Sequence, residues 1–350
     1  MQDKNLIKQL YEGQQLDKDS FIELLSSKEK YEEEAFFYAL KKREEIYARS
    51  VYFRALIEIS SYCRRDCYYC GLRVSNNKAQ RYRLNKEEIL DSVNQAYYLG
   101  FRTIVMQGGE DPIQCDDFVI DVVNTIKSQY NDIAVTLSLG EKSYESYKKM
   151  REAGADRYLL RHETADLNHY EKLHPNSMSG NDRKKCIYTL KELGYQVGAG
   201  MMIGSPYQTI ENIASDLMFI QELKPQMVGL GPFIHHRDTP FANFSNGKPD
   251  FTYYVLSLVR LVNHNVLLPI TTALSTLDEY ALERGLQAGG NVIMPNISPE
   301  EKRKKYAIYN DKKDYKVTQE NNLEKLKERI RKVGFIPDMQ IGNYKEDLYV

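Results

Sequence analysis

The stretch FRALIEISSYCRRDCYYCGLR, residues 53–73, decides both the fold and the chemistry expected of this chain. Its first part, FRALIEIS (53–60), is a short apolar run, which is typical of a buried strand. Its second part places Cys63, Cys67 and Cys70 within eight residues, with the spacing C-x3-C-x2-C. Thiols this crowded do not make a disulfide framework, and in a reducing compartment they indicate metal binding.

The same sequence of an apolar run followed by an amphipathic stretch recurs along the chain. Seven further runs follow the first: TIVMQGG (103–109), IAVTLSLG (133–140), RYLLRHE (157–163), QVGAGMMIG (196–204), MVGLGPF (227–233), LLPITTA (267–273) and NVIMP (291–295). Helical patterns such as NKEEILDSVNQAYYLG (85–100) separate most of them. Eight such units over about 250 residues predict a complete (β/α)8 barrel of the TIM type. An open doubly wound sheet is the structural alternative.

The chain divides by composition into three parts. Residues 1–50 are polar with apolar positions at helical spacing, which predicts an N-terminal helical extension. Residues 51–300 hold the alternating pattern of the barrel. Residues 301–350 are charged and helical in character, and we expect a C-terminal helical tail that closes the barrel.

Bulk composition excludes several classes of protein. The formal charge is −1 over 350 residues, so no general basic field attracts nucleic acid or an anionic membrane. The basic stretch EEKRKKY (300–306) is interpreted as a solvated helix face. The sequence shows neither a signal-peptide pattern nor an apolar run of the roughly 20 residues that a membrane span needs. We expect a cytoplasmic protein with no nucleic-acid and no membrane partner.

Three closely spaced thiolates suit a cubane iron–sulfur cluster, because thiolates are soft donors that bind iron well. Three cysteines leave one of four irons without a protein ligand. Cys115 falls in a polar loop and Cys186 on the apolar side of a helix, so neither obviously supplies a fourth ligand. A zinc site completed by a distant histidine is the alternative.

The cysteine motif resembles the signature of the radical S-adenosylmethionine (SAM) superfamily. That resemblance implies one 4Fe-4S cluster, held by Cys63, Cys67 and Cys70, and SAM as the ligand of the open iron. It also implies an oxygen-sensitive enzyme that generates a 5′-deoxyadenosyl radical. Tyr69 matches the aromatic position near the adenine, with simple loop packing as its alternative. Gly108-Gly109-Glu110 resembles the element that receives the SAM ammonium.

Longer stretches, including VTLSLGE, RYLLRHETA and MVGLGPFIHHRDTP, resemble the HydE family of FeFe-hydrogenase maturases, a branch related to biotin synthase. The similarity runs from about residue 30 to residue 310. It implies that Arg161 and Glu163 line the SAM and substrate cavity, although a structural ion pair is the alternative. His162 should alternate away from Arg161 along a strand and serve in packing.

The same resemblance implies roles for four further residues. Arg183 matches the clamp on the SAM carboxylate, although by sequence alone it would be a surface residue. Thr271 and Thr272 match a pair that holds an anion deep in the barrel, although threonine also simply favours strands. Tyr306 matches a tyrosine near the top of the cavity.

The function that the resemblance implies is action on a small iron complex carrying carbonyl, cyanide and cysteine, in assembly of the hydrogenase diiron subcluster. Partner maturases and an electron donor are implied with it. Many family members have a second cysteine group near the C-terminus, but residues 311–350 contain none, so a single cluster is expected. The alternatives are a biotin-synthase-like or methylornithine-synthase-like enzyme on an organic substrate, and a non-catalytic carrier of zinc or a cluster.

Overall fold

The computed structural model describes residues 5–313 and 320–346. Its strands are β1 (Ser50–Phe53), β2 (Ala55–Ser60), β3 (Thr103–Gly108), β4 (Ala134–Ser138), β5 (Arg157–Leu159), β6 (Gln196–Ala199), β7 (Met202–Ile203), β8 (Met227–Val228), β9 (Gly231–Pro232), β10 (Val292–Ile293) and β11 (Ile336–Asp338). Six of them form one parallel sheet in the order β2-β3-β4-β5-β6-β8. The predicted α/β fold with a parallel sheet is therefore confirmed.

Helices join the consecutive strands of the six-stranded sheet, as parallel pairing requires. They are α1 (Leu6–Tyr11), α2 (Lys18–Ser26), α3 (Lys28–Tyr47), α4 (Lys86–Tyr98), α5 (Asp116–Gln129), α6 (Tyr144–Glu152), α7 (Leu167–Leu173), α8 (Gly180–Glu192), α9 (Ile210–Leu223), α10 (Pro249–Val262), α11 (Thr272–Leu277), α12 (Ala281–Gln287), α13 (Glu300–Arg303) and α14 (Glu320–Lys332). Side-chain hydrogen bonds cap the N-termini of several of these helices. Asn85 and Glu88 form a capping box on α4, and the Ser179 hydroxyl accepts the Asp182 N–H at the start of α8.

Pairing continues beyond both edges of the six-stranded sheet. Met227 in β8 makes a parallel bridge to Leu267, and Pro269 makes one to Val292 in β10. On the other edge, β1 pairs in parallel with β10, and Leu56 in β2 makes a bridge to Asn296.

The N-terminal helices pack on the outside of the sheet and its helices. α3 lies against α10, and α2 lies against α9. Phe21 and Leu24 of α2 are fully buried in one core with α9 and α10. The sheet and its remaining helices share the larger core, in which Phe53, Val135 and Val197 are buried.

Three sequence predictions about elements need correction. LLPITTA (267–273) is not a strand in the structure: Leu267 and Pro269 make single bridges, Pro269 has no N–H to extend a ladder, and α11 begins at Thr272. RYLLRHE (157–163) is a strand only to Leu159. The tail is not purely helical, because β11 pairs in parallel with β1. Residues 314–319 and 347–350 of that tail lie outside the described residues.

None of the helices in the described ranges combines the length and the apolar character that crossing a membrane requires.

Candidate active site

A cavity of about 250 Å³ opens where the carboxyl ends of the strands meet the loop that follows β2. Twelve of the thirteen predicted site residues line it: Cys63, Cys67, Cys70, Tyr69, Gly108, Gly109, Glu110, Arg161, Glu163, Arg183, Thr271 and Tyr306. The thirteenth, Thr272, lines a separate cavity of about 30 Å³ with Ile270 and Leu282. The reason is local: Thr271 caps α11 and Thr272 is its first residue, so the two side chains diverge around the helix instead of facing one anion.

The cysteine loop, residues 61–85, is held by backbone hydrogen bonds to distant segments. The Arg64 N–H donates to the Glu110 carbonyl just after β3, and the Gly71 N–H donates to the Ile308 carbonyl, both at 2.9 Å. These contacts fix the loop against the end of β3 on one side and against the segment before residue 313 on the other.

The three thiols of the motif are free and largely shielded from solvent. Burial raises the pKa of each of them, that of Cys70 to about 12. The Leu72 N–H donates to the Cys70 sulfur at 3.4 Å, and the Cys67 sulfur lies 4.0 Å from that of Met178. Metal binding must remove these protons, because the thiolate is the ligand.

Within residues 5–313 and 320–346, no three His, Cys, Asp or Glu side chains converge closely enough to hold one metal ion. A cubane cluster does not need such convergence, because each iron takes its own thiolate.

An ion-pair network supports the loop from behind. Arg65 donates to Glu110 at 2.5 Å and to Glu141 at 2.8 Å, and Arg183 donates to Glu141 at 2.9 Å. Arg64 adds a second cation to Glu110 at 3.2 Å. This buried carboxylate is therefore compensated by two arginines. That the Gly108-Gly109-Glu110 element receives a ligand ammonium stays a prediction.

Arg183 is fixed in place from two directions. Its Nε donates to the Arg161 carbonyl at 2.8 Å, while its Nη1 reaches Glu141. Burial alone would lower the pKa of Arg183, but Glu141 and the neighbouring Tyr170, Tyr69 and Glu163 raise it above the ordinary arginine value. The group is a permanent cation at the cavity wall.

Four buried polar atoms at the cavity have no hydrogen-bond partner: Arg161 Nε and Nη2, Glu163 Oε2 and Thr271 Oγ1. Arg161 Nη2 lies 3.1 Å from Glu163 Oε2, but without the geometry of a hydrogen bond. Each such group costs on the order of 1–3 kcal/mol when left unpaired. Glu163 also adopts φ of 65°, which is strained for a residue with a side chain.

His162, between these two residues, is buried and faces α9 instead of the cavity. Its Nε2 lies 3.2 Å from Asp216 of α9, and its Nδ1 accepts the Gly200 N–H at 3.2 Å. The same Asp216 carboxylate accepts the Ala165 N–H at 2.5 Å. The predicted packing role of His162 therefore includes a buried polar anchor for the turn that carries Arg161 and Glu163.

Tyr69 is oriented by a histidine that sequence reasoning missed. The Tyr69 hydroxyl lies 3.2 Å from His174 Nε2, and His174 Nδ1 lies 2.9 Å from the Tyr170 carbonyl oxygen. Because a carbonyl only accepts, Nδ1 carries the proton and Nε2 accepts from Tyr69. Burial lowers the pKa of His174 to about 3.

Tyr306 forms part of the outer wall of the cavity. Gln107 Nε2 donates to its hydroxyl at 3.5 Å, which ties the residue to the end of β3. Tyr309 lines the same wall.

Sequence reasoning also missed Arg65, Glu141 and Asp216. The doubled arginine inside CRRDC was the available signal for Arg65, and the position of Glu141 just after β4 was the signal for that residue. Asp216 is an acid in the middle of a largely apolar helix, which could have indicated a buried partner. His174 had no local signal for its contact with Tyr69, which lies 105 residues away in the sequence.

Comparison with known proteins shows the family to which this chain belongs. Residues 57–220 match the family model of the Radical SAM superfamily. The FeFe hydrogenase maturase subunit HydE of Thermotoga maritima is 45% identical over 279 residues, which cover 80% of this chain and 79% of that protein. The chain belongs to the HydE family of radical SAM enzymes.

Other members of the superfamily are more distant. The 3-methylornithine synthase of Methanosarcina acetivorans is 28% identical over 86% of this chain and 85% of its own. A crystal structure of methylornithine synthase superposes with a TM-score of 0.81 at 25% identity, over 95% of this chain and 97% of that one.

Membership in this HydE family implies a 4Fe-4S cluster and SAM, and the residues present fit both groups. Three thiols provide the donor set of a cluster with one open iron. Arg161, Glu163 and Thr271 each keep a buried polar atom without a hydrogen bond, and together they provide complementary groups for an amino-acid moiety.

Proposed function

We propose that this enzyme holds one 4Fe-4S cluster and one SAM in the 250 Å³ cavity and acts on a small iron complex carrying carbonyl, cyanide and cysteine. The product would serve assembly of the diiron subcluster of FeFe hydrogenase. One observation carries the proposal. Buried polar atoms without a hydrogen bond lie in the same cavity as the three cysteines of the C-x3-C-x2-C motif, whose spacing suits a single cluster.

Cys63, Cys67 and Cys70 would hold the cluster as thiolates. When bound, the cluster and SAM supply a 5′-deoxyadenosyl radical. Cys115 and Cys186 line a different cavity, behind Glu110 and Glu141, and the sequence has no cysteine after residue 186. We therefore assign three protein ligands to the cluster and no second cluster.

SAM would be bound through its amino-acid moiety. Arg183 supplies a fixed cation for the carboxylate, as a guanidinium suits a carboxylate geometrically. Glu163 supplies an unpartnered carboxylate oxygen for the ammonium, together with the backbone at Gly108 and Gly109. Glu110 supports the cysteine loop through Arg64 and Arg65 instead.

The substrate would be held by Arg161 and Thr271. Both present buried donors without a hydrogen bond, and a cysteine carboxylate would satisfy both. Tyr306 would close the outer side of the cavity and exclude water from the reacting atoms. Thr272 has no part in this proposal, because it lies outside the cavity.

The proposal includes a closed barrel formed by residues 51–300. The bridges of Met227 with Leu267 and of Pro269 with Val292 support an eight-membered ring that returns to β1 and β2. The helices of residues 1–50 would then be an outer extension, and the C-terminal tail would close the bottom of the ring through β11.

Partners would include other maturases and a protein electron donor. All five cysteines are free, which suits a reducing cytoplasm.

The test is an anaerobic assay of the reconstituted enzyme with SAM, dithionite and a synthetic iron–carbonyl–cyanide–cysteine complex. The expected result is an adenosylated product that the Cys67→Ala variant does not form. Turnover of an amino acid instead of the iron complex would favour a methylornithine-synthase-like function. Tight binding of metal without any 5′-deoxyadenosine would favour a carrier.

A further inference from the structure

We propose that a second, larger cavity on the outer side of Tyr306 is a binding site for anions, which collects the negatively charged substrate beside the active site. This cavity, the basic vestibule, measures about 600 Å³. It shares Leu72, Tyr306 and Tyr309 with the inner cavity, so these three residues form a common wall. The identity of the substrate rests on the proposed function, but the anion site itself does not.

Charge is the first argument. Seven lysines and arginines line the vestibule against two aspartates, in a chain whose formal charge is −1. Some of these cations are already compensated, since Lys78 pairs with Asp238 at 2.9 Å and Lys312 pairs with Glu58. Lys304, Lys305 and Arg237 make no ion pair with any residue of the described ranges. A concave surface with uncompensated cations raises the local concentration of anions.

The sequence interpretation of EEKRKKY as a solvated helix face is corrected by this arrangement. Helix α13 ends at Arg303, which is buried, and Lys304 and Lys305 follow in the turn that leads to Tyr306. The two lysines therefore stand at the rim of the vestibule and not along a helix.

The common wall links the two cavities directly. Lys312 Nζ lies 4.8 Å from the ring centre of Tyr306, on the vestibule side. The hydroxyl of the same tyrosine contacts Gln107, which lines the inner cavity. The wall segment is tied at several points, among them Gly71 to Ile308 and Asn310 to His235. Tyr306, together with Leu72 and Tyr309, thus separates the cations of the vestibule from the inner cavity.

The two reactants have opposite net charges, so the vestibule interacts with them differently. An iron(II) complex with one cyanide, one thiolate and one carboxylate has a net negative charge, whereas SAM has a net positive charge. The vestibule attracts the first and repels the second, so it selects the substrate. This selection is electrostatic and should weaken as salt is added.

The test uses hexacyanoferrate(II) as an anionic iron–cyanide probe, measured by calorimetry on the reconstituted protein at low ionic strength. The wild type should bind it, and the Lys304→Ala/Lys305→Ala variant should bind roughly tenfold more weakly, as the loss of two partly exposed charges predicts. The Lys148→Ala/Lys149→Ala variant, with two exposed lysines on α6, should bind as the wild type does. Circular dichroism and iron content verify that all three proteins are folded.

Equal binding of hexacyanoferrate(II) by the wild type and the Lys304→Ala/Lys305→Ala variant would contradict the proposal that the vestibule binds anions. So would equally tight binding of hexaamminecobalt(III), a cation of similar size. The two proposals fail separately. If the protein forms 5′-deoxyadenosine but does not prefer the anionic probe to the cationic one, only the vestibule proposal is contradicted. If it prefers the anionic probe but does not turn over the iron complex, only the proposed function is contradicted.

Discussion

A Cβ atom on Gly109 would stand 2.1 Å from the carbonyl oxygen of Tyr62. It would also lie 2.8 Å from the Cβ of Cys63. The end of β3 and the cysteine loop are therefore in direct contact, and no side chain fits between them. Gly108, one residue earlier, has room: its nearest neighbours would be side-chain carbons at 3.4 Å.

The Gly109→Ala variant should consequently lose most of its cluster. The added methyl group meets backbone atoms, so the loop must move and Cys63 must move with it. Iron and sulfide content after anaerobic reconstitution measures this loss. The matched Gly108→Ala variant should keep nearly full iron content, and equal iron in both variants would contradict the account.

The two adjacent threonines offer a second matched pair. Thr271→Val removes a buried hydroxyl that faces the cavity, and we expect KM for the iron complex to rise by about tenfold, the effect of losing one hydrogen bond to a charged group. Thr272→Val should change KM by less than twofold. Steady-state kinetics on both variants provide the measurement, and a larger effect at Thr272 would show that the anion lies elsewhere.

Asp216 is expected to position Arg161 and Glu163 without touching a ligand. Asp216→Ala leaves His162 and the Ala165 N–H without their buried partner, so the free energy of unfolding should fall by roughly 1–3 kcal/mol. Affinity for SAM, measured by equilibrium dialysis, should fall as well, with partial recovery in Asp216→Asn. A destabilised control such as Leu258→Ala, in the distant helix α10, should keep its SAM affinity. If both variants lose affinity alike, Asp216 has only a structural role.

His174 predicts a specific dependence of stability on pH. Its folded-state pKa is about 3 against an ordinary value of 6.5, so the neutral ring stabilises the fold above pH 6.5, and this stabilisation is lost as pH falls toward 3. The wild type should be more stable than His174→Gln at pH 7, and this advantage should shrink by about 2 kcal/mol by pH 5. Urea unfolding at both values of pH measures the difference. A constant advantage would mean that His174 titrates normally.

Much of this molecule could be predicted from local sequence. The strands are apolar runs with helical stretches between them, and the site residues follow strand ends, where a parallel fold brings them together. LLPITTA was wrongly predicted as a strand because its composition suits one, while Pro269 cannot extend a ladder and α11 begins at Thr272. β11 was missed because IPD carries no strand pattern of its own and depends on β1 for its pairing.

The support of the site was harder to predict than the site itself. The motif that contains Glu110 did not reveal that this carboxylate pairs with Arg65, which lies across the loop. His174 contacts Tyr69 and Asp216 contacts Ala165, and both contacts join residues that are distant in sequence. The two residues matter because they are buried, which the local sequence does not show. The basic vestibule depends on where the chain turns after Arg303, which the charge run by itself did not reveal.

The central claim is that three cysteines hold a cubane cluster whose fourth iron is left for SAM. Mössbauer spectroscopy of ⁵⁷Fe-reconstituted protein, recorded anaerobically with and without SAM, tests it most directly. The account predicts one four-iron cluster per chain and a change confined to a single iron when SAM is added. Four equivalent irons that do not respond to SAM, or a protein that takes up zinc and no cluster, would contradict it.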